Sequence, residues 1–314
     1  MRYLVTGGAG FIGAHLTAHL VSQGHYVTVF DKVRPKHPAP NVTSVTGSVC
    51  NYELLNEHLA RHDAVFHLAA VVGFANVMRD PIRTVETGMR GTQTVLQLAH
   101  QQHKRVLFTS TSAIYGRTAD EQRPVVETDP CLLGPSSVRS WSYAYAKAAE
   151  ECLALAYHQM HELPVVIVRL FNTVGPWQSA SAGFVLPRFV QAALKDEPIE
   201  VHDDGQQSRT FAHVQDVVEG LAALMECPEA RGEIVNVGGT ATTTMCDLAQ
   251  TVVRVLDSKS EVRLVPDPYE QGHYENVRHR IPNLAKAHRL VGYNPTRTLE
   301  DMICDVAATT TVAV

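Results

Sequence analysis

Thr6-Gly7-Gly8-Ala9-Gly10-Phe11-Ile12-Gly13 stands between an apolar run, Tyr3–Thr6, and a stretch of helical spacing, Gly13–Gln23. Gly7, Gly10 and Gly13 follow a G-x-x-G-x-x-G spacing. Glycines placed this way let a strand turn sharply into a helix, let backbone N–H groups approach a pyrophosphate, and let the helix pack close against the strand. The helix start adds partial positive charge. Gly7, Gly10, Phe11, Ile12 and Gly13 are therefore candidate cofactor-binding residues. Asp31, 18 residues beyond Gly13, ends the second apolar run, Tyr26–Phe30. A carboxylate there accepts hydrogen bonds from both ribose hydroxyls of an adenosine and repels a 2′-phosphate, which predicts NAD in preference to NADP. Lys32 and Arg34 follow at once and leave NADPH conceivable.

Outward from this turn, short apolar runs alternate with helix-length segments. Ala64–Leu68, Arg105–Ser110, Val165–Leu170 and Glu233–Val237 read as strands, and Gly91–His103 and Ser142–His161 as helices. Near-continuous apolar strands alternating with helices predict an α/β fold, a Rossmann-type parallel sheet with helices on both faces. The pattern runs from residue 1 to about 170, loosens, returns at about 210–237 and loosens again. We expect a nucleotide-binding domain of residues 1–170 and 210–240, and a smaller α/β substrate-binding lobe of 171–209 and 241–314.

The 314 residues, 45% hydrophobic and 19% charged, fit a globular protein and exclude collagen-like, disordered and coiled-coil classes. The net charge of −5 provides no global basic field for nucleic acid or an anionic membrane, so an anionic ligand needs a local cationic cluster. Six scattered cysteines without a CxxC pair read as buried thiols of a reducing cytoplasm, with no structural metal. The uncharged stretch from Tyr3 to Phe30 holds five glycines and three histidines and is no membrane anchor.

Tyr143-Ala144-Tyr145-Ala146-Lys147 puts Tyr143 and Lys147 four residues apart, on one face of a helix. A free phenol, with a pKa near 10, is a poor base at neutral pH. An adjacent ammonium and a positively charged nicotinamide favour the phenolate, giving a group that removes a proton from an alcohol as its hydride leaves.

With Asp63-Ala64-Val65-Phe66-His67-Leu68-Ala69-Ala70, Ser110-Thr111-Ser112-Ala113-Ile114-Tyr115-Gly116 and Arg169-Leu170-Phe171-Asn172-Thr173-Val174-Gly175-Pro176, the glycine turn and the Tyr143/Lys147 pair form five ordered motifs. Together they resemble, nearly end to end, the extended short-chain dehydrogenases/reductases of the NAD-dependent nucleotide-sugar epimerase/dehydratase family. The resemblance implies that Thr111 hydrogen-bonds the reacting sugar hydroxyl beside Tyr143, with Ser112 next to it in the substrate site. Lys147 holds the nicotinamide ribose and tunes Tyr143. Leu68, Ala69 and Ala70 line the cofactor, and Ser48 and Val49 lie where the family contacts adenine. Asn172 contacts the diphosphate. Asp204-Gly205-Gln206-Gln207-Ser208-Arg209-Thr210-Phe211 is similar to the segment whose arginine binds that diphosphate, so Arg209 takes the role, with Arg280 as a second contact. Two arginines on a diphosphate supply the charge-assisted bonds that the acidic chain lacks globally. The resemblance further implies a UDP-sugar substrate and a homodimer.

The departures discriminate between reactions. The family's 4,6-dehydratases carry Asp-Glu after the threonine and its decarboxylases retain a glutamate, whereas this chain has Ser112 and Ala113. Epimerases carry small residues there, so the expected activity is that of an epimerase acting on a UDP-hexose at C4 through a 4-keto sugar. Gly88 stands where the family commonly has Asn, and Ser48 where Asp is frequent. Trp177-Gln178-Ser179 follows Gly175-Pro176 without the arginine that uronic-acid 4-epimerases present to the sugar carboxylate, and Asn172 replaces their threonine. A neutral hexose is favoured over a uronate, although Arg188 is a cation that could substitute. The alternatives are an NDP-4-ketosugar reductase, a UDP-uronic acid epimerase and a non-enzymatic dinucleotide-binding scaffold. Trp177 is placed equally well against a sugar or as a cap of the lobe. His15/His19 and His58/His62 have the spacing of helical metal pairs but no third ligand, and read as solvated helix faces. Thr244 is a candidate N-cap, and Ala307–Val314 a frayed or short packed tail.

Overall fold

The computed structural model describes residues 1–117, 123–180, 183–266 and 277–310; of the predicted tail, 311–314 therefore lie outside the described residues. Seven strands form the main sheet: β1 (Arg2–Thr6), β2 (Tyr26–Asp31), β3 (Thr43–Thr46), β4 (Ala64–His67), β5 (Arg105–Thr111), β6 (Val165–Leu170) and β10 (Ile234–Val237). Their order is β10-β6-β5-β4-β1-β2-β3, and every pairing is parallel. Parallel strands need crossovers, and helices on both faces supply them. One face is covered by α1 (Phe11–Ser22), α7 (Val214–Glu226) and α9 (Ala285–Val291), the other by α2 (Tyr52–Leu59), α4 (Pro81–Gln101) and α5 (Ser142–His161), with the short α3 (Phe74–Arg79) just before α4. Burial on both sides explains why β4 and most of β6 read as continuous apolar runs. Asp80 caps α4 by accepting from Arg83 N, with Pro81 in the first turn.

The lobe is built from α6 (Val185–Ala193), α8 (Met245–Val255) and α10 (Leu299–Thr309) around β8 (Ile199–His202) and β12 (Val262–Val265). A three-stranded sheet of β7 (Asn172–Val174), β9 (Ser208–His213) and β11 (Thr242–Thr244) sits between the two cores. Thr244 caps α8 by accepting from Asp247 N. Residues 284–293, assigned to the lobe from sequence, belong instead with the main sheet. Ala287 and Tyr293 are buried in its core, and Leu284, Leu290 and Val291 pack on it. Gly220 on α7 leaves room for the Tyr293 ring, whose hydroxyl donates to Gly238 O at 2.9 Å. No helix among the described residues is long and apolar enough to cross a membrane.

Two further expectations change. The six cysteines are all free, but four are exposed and two part-buried, because they fall on loops and outer helix faces instead of in the cores. His15 and His62 are buried and hydrogen-bonded, not solvated: His15 Nε2 lies 2.9 Å from Pro176 O, and His62 bridges His58 O and Thr28 Oγ1. Each replaces lost hydration with protein partners, the usual condition for burying a polar ring.

Candidate active site

A cleft of about 890 Å³ opens across the carboxyl ends of β1, β2, β4 and β5 and reaches the lobe. The strand order reverses between β1 and β4, the position where open α/β sheets bind ligands. Gly7 turns the chain out of β1 at φ +73°, and a Cβ on it would stand 2.7 Å from Ala69 N. Gly10 begins α1 with no side-chain cap and no acid in the first turn, so the helix start faces the cleft with Gly10, Phe11 and Ile12 in its wall. Gly13 is set back from the wall; its Cβ would collide with Gly7 O, so it serves helix–turn packing.

At the end of β2, Asp31 accepts from Ala9 N at 3.1 Å and Val33 N at 3.2 Å, one bond on each oxygen. Each oxygen keeps a further lone pair for a ribose hydroxyl. Lys32, Val49, Leu68, Ala69 and Ala70 also line the cleft. Ser48 does not: its Oγ accepts from Cys50 N at 3.3 Å and its carbonyl from Asn51 N at 2.8 Å, which spends it on the turn into α2. The Gly7–Gly10 cradle, the uncapped helix start and the oriented carboxylate fit a dinucleotide. So does Ser110 Oγ on the same wall, buried without a hydrogen-bond partner among the described residues.

Thr111 ends β5, and its hydroxyl accepts from Ala113 N at 3.1 Å, fixing the tight turn Ser112–Tyr115. Tyr143 on α5 shares the wall with Thr111, whose hydroxyl favours its ionised form. Lys147, one turn along, is 3% exposed; its Nζ donates to Thr109 O at 3.1 Å and to Glu150 Oε2 at 3.0 Å, and lies 4.5 Å from the Phe108 ring centre. Sequence predicts a Tyr143 made more acidic by Lys147. Here the phenol is pushed the other way, first by burial and then by the negative charge of Glu150, with the Thr111 hydroxyl acting in the opposite sense. The ammonium is already answered by Glu150 and leaves little for the phenolate.

On the lobe side, Asn172 Nδ2 donates to Thr210 O at 3.0 Å and the residue lines the cleft. Arg209 projects from β9, with Nη1 donating to Ser208 O at 2.7 Å and Arg278 O at 3.1 Å. Arg280 and Ser112 share the wall. Arg188, named from sequence as a cation that could meet a sugar carboxylate, is also in the wall, joined by Arg83 and His202, which sequence reasoning did not place in the site. Asp31 is the sole carboxylate among the described residues of the wall, against Lys32, Arg83, Lys147, Arg188, Arg209 and Arg280. The cleft is thus locally cationic in an acidic protein. Trp177 is not in the wall: it is sandwiched between His15, centroids 4.5 Å apart, and His37, at 4.3 Å.

Residues 3–238 match the model of the NAD dependent epimerase/dehydratase family. The UDP-N-acetyl-alpha-D-glucosaminuronate decarboxylase of Bacillus cytotoxicus is 37% identical over 308 residues, covering 95% of this chain and 94% of that protein. Among solved structures, UDP-glucose 4-epimerase of Thermotoga maritima with UDP-glucose superposes with a TM-score of 0.89 at 27% identity, covering 98% of each chain. A dTDP-glucose 4,6-dehydratase of Streptomyces venezuelae with NAD bound gives 0.85 at 29%, covering 98% of this chain and 95% of that one.

Proposed function

This chain belongs to the NAD-dependent epimerase/dehydratase family, with NAD as its cofactor, and we propose that it epimerises C4 of a UDP-hexose through a 4-keto sugar. The observation that carries the reading is the wall composition: Thr111, Ser112, Ala113, Tyr143 and Lys147 line one part of it together, and Asp31, at the end of β2, is its one carboxylate among the described residues. Elimination of water from C5 and C6 needs an acid and a base placed beside those carbons, and Ser112 and Ala113 supply neither. Trp177 stacked on two histidines also takes the position after Gly175-Pro176 away from any sugar carboxylate.

NAD held by the Gly7–Gly10 turn and Asp31 would supply the hydride acceptor for the sugar C–H bond and the donor for its return. Tyr143 takes the C4 hydroxyl proton as that bond breaks, and gives it back when the ketone is reduced from its other face. Thr111 holds the same oxygen. Tyr143 takes that proton as the phenolate, the form that Lys147 together with the positive nicotinamide of bound NAD would favour against burial and the charge of Glu150. Arg209 and Arg280 clamp the diphosphate, Asn172 lines its path, and the hexose is left free to turn over between the two transfers.

A second reading follows from the decarboxylase likeness. Oxidising C4 of a uronate places a ketone β to the carboxylate; the C5–C6 bond can then break, CO₂ leaves, and C5 takes a proton. One experiment separates the two. The protein as purified, without added cofactor, is followed by NMR in deuterated water with UDP-glucose, UDP-galactose and UDP-glucuronate. A C4 epimer without carbon-bound deuterium is expected. CO₂ release with deuterium at C5 would replace the epimerase reading by decarboxylation, and turnover only on addition of NADPH would replace it by a reductase. Tyr143→Phe should lower kcat by ~10²–10⁴-fold with KM little changed; full activity in that variant would overturn the role given to Tyr143.

A further inference from the structure

Gly88 sits in the middle of α4 and is buried, a position where glycine weakens a helix unless something needs the space. The space is taken by Glu150 from α5: a Cβ on Gly88 would collide with Glu150 Oε1. Glu150 is 1% exposed, and Oε1 has no hydrogen-bond partner among the described residues. The other oxygen is crowded. Oε2 accepts from Lys147 Nζ at 3.0 Å and from Thr92 Oγ1 at 2.7 Å.

The donors can be followed further. Thr92 spends its one proton on the carboxylate, so its oxygen accepts from His67 Nε2 at 3.1 Å, and the other ring nitrogen of His67 accepts from Thr6 Oγ1 at 2.7 Å. His67 is fully buried and held neutral, its pKa lowered to about 3 by burial and by Lys147. A line of hydrogen bonds therefore runs from the end of β1 through β4 and α4 to the carboxylate beneath Lys147. The groups facing Glu150 are Lys147 and Tyr143 on its own helix, Gly88 and Thr92 on α4, and, through Thr92, His67 on β4; Lys147 carries the charge among them.

We propose that Glu150 is a positioning residue for the reaction, holding Lys147 from the space that Gly88 leaves open and setting the net charge of the Tyr143–Lys147 pair. A carboxylate from α5 fills the space at Gly88, so the lysine is anchored and its charge answered by one group. This rests on Tyr143 and Lys147 being the reacting pair, not on which sugar they meet.

The test uses the NAD-bound protein without any sugar nucleotide. Tyrosinate ultraviolet absorbance is titrated against pH in wild type, with Tyr143→Phe identifying the signal of Tyr143. Glu150→Gln keeps the shape and removes the charge, and should move the Tyr143 midpoint down by about one pH unit, roughly ten-fold in proton affinity. Gly88→Asn alone drives a side chain into Glu150 and should lose NAD on gel filtration; Gly88→Asn with Glu150→Ala should retain it and show the same lowered midpoint. An unchanged midpoint in Glu150→Gln, or a double variant no better than Gly88→Asn, overturns the proposal. A failed sugar assay leaves this titration untouched, so the two readings fall separately.

Discussion

Glu150 and Glu151 are neighbours on α5, both buried, and both paired with a cation, yet the two pairs are built differently. Glu151 meets Arg169 through three contacts, Nε to Oε1 at 3.1 Å, Nε to Oε2 at 3.3 Å and Nη2 to Oε2 at 2.8 Å, while Nη1 donates to Glu127 O at 3.0 Å. The guanidinium also stacks 4.8 Å from the centre of the Tyr115 ring. Glu150 uses one oxygen for Lys147 and Thr92 and leaves the other without a donor. The saturated pair joins α5, β6 and the segment at Glu127, and neither residue lines the cleft. The unsaturated pair ends in Lys147 on the cleft wall. Buried polar groups are normally satisfied in full. Here one is not, and its partner is Lys147, the lysine proposed to act beside Tyr143.

The largest effect expected from breaking this contrast is on stability. Glu151→Ala strands a buried guanidinium and should cost about 3–5 kcal/mol in urea unfolding at fixed NAD concentration. The Glu151→Leu, Arg169→Met double variant should recover most of that loss. Neither change should move the Tyr143 titration that Glu150→Gln shifts. A Glu151 variant that shifted it would erase the distinction between the two pairs.

That distinction could not be read from the sequence, whereas much of the fold could. The glycine turn, Asp31 and the apolar strands are local signals, since backbone geometry and burial on both faces constrain the residues themselves, and the residues named for the cofactor end line the cleft except Gly13 and Ser48. Tyr143, Lys147 and Thr111 converge as expected. The interior beneath them was not legible, because a carboxylate at position 150 looks like any acid on a helix until α4 is packed against it. Gly88 was the available signal: a missing side chain inside a buried helix asks what fills it. Residues 284–293 were misplaced for a related reason. A short apolar helix does not say which of two cores it covers, and Tyr293 finds its place only through Gly220 and Gly238.

An intermediate effect concerns the far end of the line of hydrogen bonds behind Glu150. His67 stays neutral in the fold down to about pH 3, while in the unfolded chain it binds a proton below about 6.5. Between those limits the unfolded state carries more protons, so stability rises with pH and is lost as pH falls, by about 1.4 kcal/mol per unit from this group. Urea unfolding of wild type between pH 6 and pH 4 should approach that slope, and His67→Gln should flatten it. An equal slope in both would mean that acid acts elsewhere and that His67 is no part of the Glu150 side of the comparison.

The smallest effect comes from the His15–Trp177–His37 stack, which carries no paired charge. Trp177 is 39% exposed, so its rings gain face-to-face contact while most of the tryptophan edge keeps its water. His15, with its pKa lowered chiefly by burial, is the buried member, tied to Pro176 O. A double-mutant cycle of His37→Ala and Trp177→Leu should give a coupling of about 0.5–1.5 kcal/mol, with NAD retention unchanged. The stack joins α1 to the strand-end turn at Pro176 from outside the cleft, so it steadies the lobe without meeting a ligand. A coupling as large as that of Glu151 with Arg169, or loss of NAD with Trp177→Leu, would instead place Trp177 among the groups on which the cofactor depends.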